Sequence, residues 1–251
     1  MNSDSARLRL LTFNIRFGSG GENIHMPGYK LPIFPKSIET ISTAIDSVEP
    51  DVVALQEVRG AAQAEKIASK LGINYAYISH QLGYRLYFFE WGLALLFRFK
   101  MLATDRRSLI FDDKTQVGRM ALMGTMDVEG RPVTFINLHF DHRDISGQVD
   151  ELAAWTETHQ YPLVIMGDLN CEPEDPRLKP LRAYMNDTCR MVSTASSKEA
   201  QARGTLLANR RRVDHIWTDG DHFKVIDAGI LPTSLHRISD HIGYFADVEI
   251  V

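Results

Sequence analysis

A chain of 251 residues with 44% hydrophobic and 24% charged side chains can bury a sizeable core, which excludes a disordered or fibrous protein. Its net charge of −4 excludes a global attraction to nucleic acid or anionic lipid, so a polyanion must be held by a local basic patch or by metal. Two cysteines, Cys171 and Cys189, without CxxC spacing exclude a disulfide framework and point to a reducing compartment.

Residues 1–9 include Asp4 and lack an apolar core, so no signal peptide is evident. Residues 8–13 read as a strand that stops at Asn14. Residues 18–35, rich in glycine and proline, read as a long loop of the kind that carries function in compact domains. Ile38, Ile41, Ala44, Ile45 and Val48 have helical spacing and end before Pro50. Residues 52–55 form the next predicted strand, ending in Gln56-Glu57. A second helix follows, with Ala64, Ile67, Ala68 and Leu71 on one face and Gly72 as its stop.

Residues 73–135 hold short apolar runs between turn signals, including the hairpin cue Glu129-Gly130, and read as antiparallel strands. The longest apolar run, 91–97, is interrupted by Gly92 and too short to span a bilayer. A strand then leads into Asn137-Leu138-His139-Phe140-Asp141-His142, and a helix carries Val149, Leu152, Ala153 and Thr156. Residues 162–166 read as a strand buried on both faces and broken by Gly167, with Asp168 and Asn170 just beyond. In α/β proteins ligands bind at such strand ends. Residues 177–186 read as a short helix, 190–205 as a surface loop, and 213–217 and 242–251 as closing strands. Strand, loop, helix and strand ending in an acid occurs twice, over 8–57 and 133–168, as an echo of topology alone. No Gly/Ser or Pro linker separates two cores, so the expectation is one domain over 1–251, soluble and cytoplasmic, without stable membrane association.

Segment ends carry polar residues of one kind: Asn14, Glu57, His139, Asp168 with Asn170, Asp214, and Asp240 with His241. Each alone has a plain explanation, such as a turn cap for Asn14, a core histidine for His139, or an Asp214 paired with Arg211 or Arg212. Together they are harder to dismiss, because unpaired buried acids are costly and seldom accumulate. Carboxylate and amide oxygens are hard ligands that favour Mg2+ or Mn2+. A histidine oriented by an aspartate takes a proton from water. The set suits metal-assisted phosphoester hydrolysis.

The motifs Thr12-Phe13-Asn14-Ile15, Leu55-Gln56-Glu57-Val58, Asn137-Leu138-His139, Gly167-Asp168-Leu169-Asn170, Arg212-Val213-Asp214-His215-Ile216 and Ser239-Asp240-His241 are individually weak. In this order they resemble the endonuclease/exonuclease/phosphatase superfamily, which includes deoxyribonuclease I, apurinic endonucleases, neutral sphingomyelinases and inositol polyphosphate 5-phosphatases. The resemblance implies an α/β (α+β) four-layer sandwich, two mixed sheets face to face with helices outside. It implies Glu57 as principal metal ligand, with Asn14 and Asp240 as further contacts to the metal or its waters. Asp168 and Asn170 would orient the nucleophile or the phosphate, His241 with Asp214 would be the acid/base pair, and His139 would contact phosphate. Arg212 and Arg119 are the candidate substrate-binding cations.

Arg16 departs from the pattern of members with an acid two positions after the asparagine, which weakens a second-metal role there. His139 is of the deoxyribonuclease I, sphingomyelinase and phosphatase type, and Phe97 replaces a common serine. His142 and Arg143 read as a solvated loop. The expected activity is a Mg2+- or Mn2+-dependent phosphoesterase on a small phosphorylated metabolite, nucleotide or lipid headgroup. The alternative is a nuclease, with Arg106, Arg107, Arg203, Arg210, Arg211 and Arg212 as parts of a basic groove. A non-catalytic binding protein on the same scaffold is the third reading. Calcineurin-like metallophosphoesterases are set aside, because their Asp-x-His and Gly-Asn-His motifs are missing from the expected places.

Overall fold

The computed structural model describes residues 6–19, 35–82, 90–112, 117–143, 145–157, 159–232 and 238–251. Most of the loop read over 18–35, and Tyr84, Tyr87, Phe88 and Phe89, lie outside the described residues. The apolar runs assemble two mixed sheets. The first joins β1 (Arg7–Asn14), β2 (Val52–Val58), β3 (Asn74–Ser79), β5 (Gly92–Phe97), β12 (Phe223–Ile230) and β13 (Tyr244–Ile250) in the order β12-β13-β1-β2-β5-β3. The second joins β7 (Val117–Val128), β8 (Arg131–His139), β9 (Leu163–Asp168), β10 (Met185–Asp187) and β11 (Asp214–Asp219) in the order β10-β11-β9-β8-β7; β6 (Lys100–Asp112) and the short β4 (Gln81–Leu82) also pair with β7.

Each sheet contains one parallel pair, β1 with β2 and β8 with β9. Parallel neighbours need a crossover, and each pair has a helix between its strands, α1 (Pro35–Asp46) or α3 (Ser146–Thr156). The echo noticed in the sequence is therefore a repeated βαβ unit. Ile38, Ile41, Ala44 and Ile45 of α1 and Ala64, Ile67 and Ala68 of α2 (Ala61–Leu71) are buried in the main core, which also holds the facing sides of the two sheets. Val149 and Leu152 of α3 pack with Ile136, Leu138, Leu163 and Ile165 in a second core behind the other sheet. The result is the expected four layers.

The period of two along each strand sorts its side chains. On β9, Val164 and Met166 face the main core while Leu163 and Ile165 face α3. On β8, Val133 and Phe135 face inward and Ile136 and Leu138 outward. Continuing the inner rows leads to Asp168, two residues beyond Met166, and to Asn137 and His139, two and four beyond Phe135. One step deeper, a polar strap crosses between the sheets. Gln56 Nε2 donates to Asn137 Oδ1 at 2.8 Å, and Asn137 Nδ2 donates to the carbonyls of Leu55 and Ala94 at 2.9 and 2.8 Å. Left unpaired, such groups would each cost about 1–3 kcal/mol, so the strap fixes how the two sheets meet beneath the strand ends.

Four local expectations change. Gly167 does not break β9 but lies within it. Residues 177–186 are not one helix: a 3-10 turn (Pro176–Leu178) and α4 (Lys179–Arg182) lead into β10. The expected loop at 190–205 contains the end of α5 (Thr188–Met191) and all of α6 (Ala195–Arg203). Thr194 caps α6 by accepting from Ser197 N at 3.1 Å, and the helix packs on β12 rather than presenting an apolar stripe. The edge strand β12 itself was not anticipated, because Lys224 and Asp227 interrupt its apolar pattern. Among the described residues no helix is long and apolar enough to cross a membrane.

Candidate active site

Three neighbouring strands of the second sheet place three side chains in one row. The register sets His139 beside Asp168, and Asp168 beside Asp214. This alignment depends on Gly167, whose φ is +152° and whose Cβ, if present, would lie 2.0 Å from the Leu138 carbonyl oxygen. Only a glycine lets β9 close onto β8 one residue before the aspartate. Asp168 and Asp214 are buried, and the N–H groups of Val213 and Asp214 both donate to Thr205 Oγ1 at 3.0 Å, which anchors the start of β11.

From the first sheet come Asn14 and Glu57. Gln56 already points between the sheets, so strict alternation would send Glu57 the other way. A register shift between Leu55 and Val58 and a φ of +53° at Glu57 turn it back, and Asn14 Nδ2 reaches its Oε1 at 3.3 Å. Re-aiming a side chain is a recurrent use of a bulge. Among the described residues seven non-glycine residues have positive φ, and four of them, Arg16, Phe17, Glu57 and Asn170, belong to this region. Each costs on the order of 1–3 kcal/mol, strain that characteristically gathers at functional sites.

Asn14 is the hinge between the two acids. Its Nδ2 also donates to Asp168 Oδ2 at 3.0 Å, while its Oδ1 accepts from Arg16 N at 3.0 Å. Asn14, expected to contact the metal or its waters, thus bridges the two acids. Asn170 N donates to Asp168 Oδ1 at 2.9 Å, and Asn170 Nδ2 to the Phe140 carbonyl at 2.8 Å. Ser239, which the sequence did not single out for a role, donates from Oγ to the Asn14 carbonyl at 2.7 Å and accepts from His241 N at 3.2 Å. It ties the last motif to the first.

His241 sits between two carboxylates. Its Nδ1 is 2.8 Å from Asp214 Oδ2, and its Nε2 is 3.7 Å from Asp168 Oδ2. Burial alone would depress the imidazolium, but Asp214 and Asp168 outweigh it and hold His241 in the charged form well above the usual histidine range. Burial raises the Asp168 carboxyl, with Asp214 adding to the shift and His241 opposing it. His139 differs: its Nε2 is 3.5 Å from Asp168 Oδ2, yet burial and then Arg119 keep it neutral. Asp168, Asp214 and His241 offer ligand atoms within 4.8 Å of one another. Because His241 Nδ1 is already bonded to Asp214, the trio has the geometry of a proton relay.

Arg119, on β7, joins the site from the far side. It is 5% exposed, its guanidinium carbon lies 4.6 Å from the Trp91 ring centroid, and Nη2 is 3.9 Å from Asp141 Oδ2. Its Nε and Nη1, together with His139 Nδ1 and Asp214 Oδ1, are buried without a hydrogen-bond partner among the described residues. Such orphans cost about 1–3 kcal/mol each and call for a ligand. The pattern that would have marked Trp91 as part of the site is absent, because in sequence it reads as the start of a core strand.

Arg212 is a correction. Its guanidinium is buried in a bidentate pair with Asp187, at 3.0 Å through Nη1 and closer through Nη2, and lies 5.7 Å from the Tyr244 ring centroid. It ties β10 to the first sheet, and both its terminal nitrogens are engaged by Asp187. Of the arginines named for a basic groove, Arg107 pairs with Glu151 and Arg203 with Glu199, and Arg211 lies 4.0 Å from Glu172.

The donors fit a hard divalent cation. Glu57 is only partly buried, and its carboxyl is raised by desolvation, with the nearby Asp240 adding to the shift. Asp240 is 36% exposed. Two carboxylates that repel each other are relieved by a nearby cation of this type.

The family model described as "Endonuclease/Exonuclease/phosphatase family" matches residues 11–241. No curated protein sequence matches. Among solved structures, the human Nocturnin catalytic domain with bound sulfate anion superposes with a TM-score of 0.75 at 21% identity, covering 98% of this chain and 95% of that one. A mannosyl-6-phosphatase from Bacteroides thetaiotaomicron gives 0.70 at 17% identity, over 96% of this chain and 99% of that one. TDP2 from D. rerio, complexed with single-strand DNA product, gives 0.70 at 14% identity, over 96% of this chain and 98% of that one. At these identities the likeness is one of fold.

Proposed function

This chain belongs to the endonuclease/exonuclease/phosphatase family, a hydrolase fold for phosphoric esters, and on that premise we propose that it is a Mg2+-dependent phosphoesterase acting on a small phosphorylated substrate. The observation that carries the reading is the His241 arrangement, bonded to Asp214 on one side and facing Asp168 on the other. Asp168, raised by burial, accepts the proton of the attacking water, oriented with Asn170. His241, held charged, donates toward the phosphate or the leaving oxygen. Neutral His139 and the unpartnered nitrogens of Arg119 bind phosphate oxygens. Glu57 holds the cation, with Asn14 and Asp240 flanking it, and the ion supplies Lewis-acid charge neutralisation when bound.

A small substrate is favoured over nucleic acid because Arg107, Arg203 and Arg211 of the groove face acids and Arg212 is buried against Asp187, which reduces the basic surface for counterion release. Nocturnin with sulfate and the mannosyl-6-phosphatase are consistent with that choice, and TDP2 with DNA keeps the nuclease as the second reading. The unpaired, buried cysteines suit a cytoplasmic enzyme, and residues 1–251 act as one catalytic unit. The test is a panel of bis-p-nitrophenyl phosphate, p-nitrophenyl phosphate, sugar phosphates, nucleotides, sphingomyelin, plasmid DNA and single-stranded RNA. Hydrolysis is expected with Mg2+ or Mn2+, vanishing with EDTA. Turnover that persists in EDTA contradicts the mechanism, and preference for plasmid DNA contradicts the substrate class.

A further inference from the structure

One cation of the site has no part in the scheme above. Arg16 follows Asn14 by two residues and is held in a left-handed conformation, φ +44°, with Phe17 next to it at +57°. Several contacts fix this turn. Arg16 N donates to Asn14 Oδ1, Ser19 N and Oγ donate to the Arg16 carbonyl at 2.9 and 2.8 Å, and Gln63 Nε2 donates to the Phe17 carbonyl at 3.0 Å. Gln63 is itself fixed by Arg59 N at 2.6 Å, and Phe17 meets Trp91 edge-on at 6.1 Å. The outcome is that Arg16 Nε lies 3.5 Å from Asp240 Oδ2, the acid whose charge is felt at Glu57.

We propose that Arg16 is a built-in counter-cation on the Asp240 flank, which limits this centre to one divalent ion held through Glu57. The inference rests on the metal-dependent reading and goes beyond it by fixing the stoichiometry and the residue that sets it. Paired-metal centres hold their ions about 3.5–4 Å apart and need anionic ligands on both sides. Here the Asn14 amide oxygen accepts the Arg16 N–H, and the Asp240 carboxylate faces the Arg16 guanidinium. A second ion would have to displace a permanently charged guanidinium from its carboxylate. Asp240 accordingly neutralises Arg16 and does not ligate metal. An exposed ion pair of no consequence would not require two consecutive left-handed residues to place it.

The experiment is a Mn2+ titration read by electron paramagnetic resonance of the free ion. It uses wild type, Glu57→Gln, Asp240→Asn, Arg16→Glu and the double variant Arg16→Glu/Asp240→Asn, each checked for folding by thermal melting. Wild type is expected to bind one ion. Glu57→Gln raises the dissociation constant at least about 100-fold, whereas Asp240→Asn changes it by less than about threefold. Arg16→Glu takes up a second ion, and adding Asp240→Asn removes it. Two ions in wild type, an Asp240→Asn loss as large as that of Glu57→Gln, or a single ion in Arg16→Glu overturns the proposal and leaves the metal-dependent reading standing. A wild type that binds no ion overturns both.

Discussion

The two βαβ units of this molecule end in acids that are housed differently. In β8–α3–β9, Asp168 continues the inner row of its strand, is 1% exposed, and is flanked in register by His139 and Asp214. In β1–α1–β2, Glu57 departs from alternation through a bulge and stays partly open to solvent. In the mechanism we propose, the same topology yields a carboxylate coupled to a proton relay in one half and a carboxylate that takes a cation in the other. Asn14 Nδ2 touches both and sets their spacing. Environment divides the labour between two chemically similar groups.

The comparison breaks most visibly if the relay is cut. Asp168→Asn and His241→Ala are each expected to lower kcat by about 10²–10⁴ in steady-state assays while the metal requirement is unchanged. An effect below tenfold would remove them from the chemistry. Arg212→Ala tests the opposite side of the ledger, a buried pair outside both units. Urea unfolding should show a loss of about 3–5 kcal/mol, with kcat of the folded enzyme retained. A selective loss of affinity for phosphorylated substrate would instead return Arg212 to the site.

Gly167→Ala sharpens the register argument. Its Cβ meets backbone 2.0 Å away, so β9 must pull back from β8, at a cost of about 1–3 kcal/mol in urea unfolding and with a fall in kcat. The gentlest probe is pH. His215 behind the relay is buried, with Nε2 bonded to the Cys171 carbonyl at 2.9 Å, and burial depresses its pKa from 6.5 to about 3. As pH falls through that window the unfolded chain takes up a proton that the folded one refuses, so stability falls with decreasing pH by up to about 1.4 kcal/mol per unit and levels off below about 3. His215→Gln should flatten this part of the profile of unfolding free energy against pH.

Much of this was legible in the sequence because strand ends announce themselves. Val164-Ile165-Met166 shows the run and Asp168 the acid at its end, and Ile38 to Val48 shows a helix by spacing. Gly167 reads as a break but is a close approach inside the strand. What escaped depends on partners far along the chain. Arg212 looked like a ligand-binding cation beside Asp214, yet its partner Asp187 is 25 residues away on β10. Helix α6 has polar composition and exists through the Thr194 cap and its seat on β12, neither visible as periodicity. Trp91 looked like core and instead forms the floor under Arg119. The bulge at Glu57 leaves no mark in Leu55-Gln56-Glu57-Val58 at all.

The division of labour between Glu57 and Asp168 is tested most directly by the Mg2+ dependence of bis-p-nitrophenyl phosphate turnover in Glu57→Gln and Asp168→Asn. Glu57→Gln is expected to raise the half-saturating Mg2+ concentration at least about tenfold, with rate recovering as the ion is added. Asp168→Asn should leave that concentration in place and lower the plateau. The same shift in half-saturation for both variants would contradict the account.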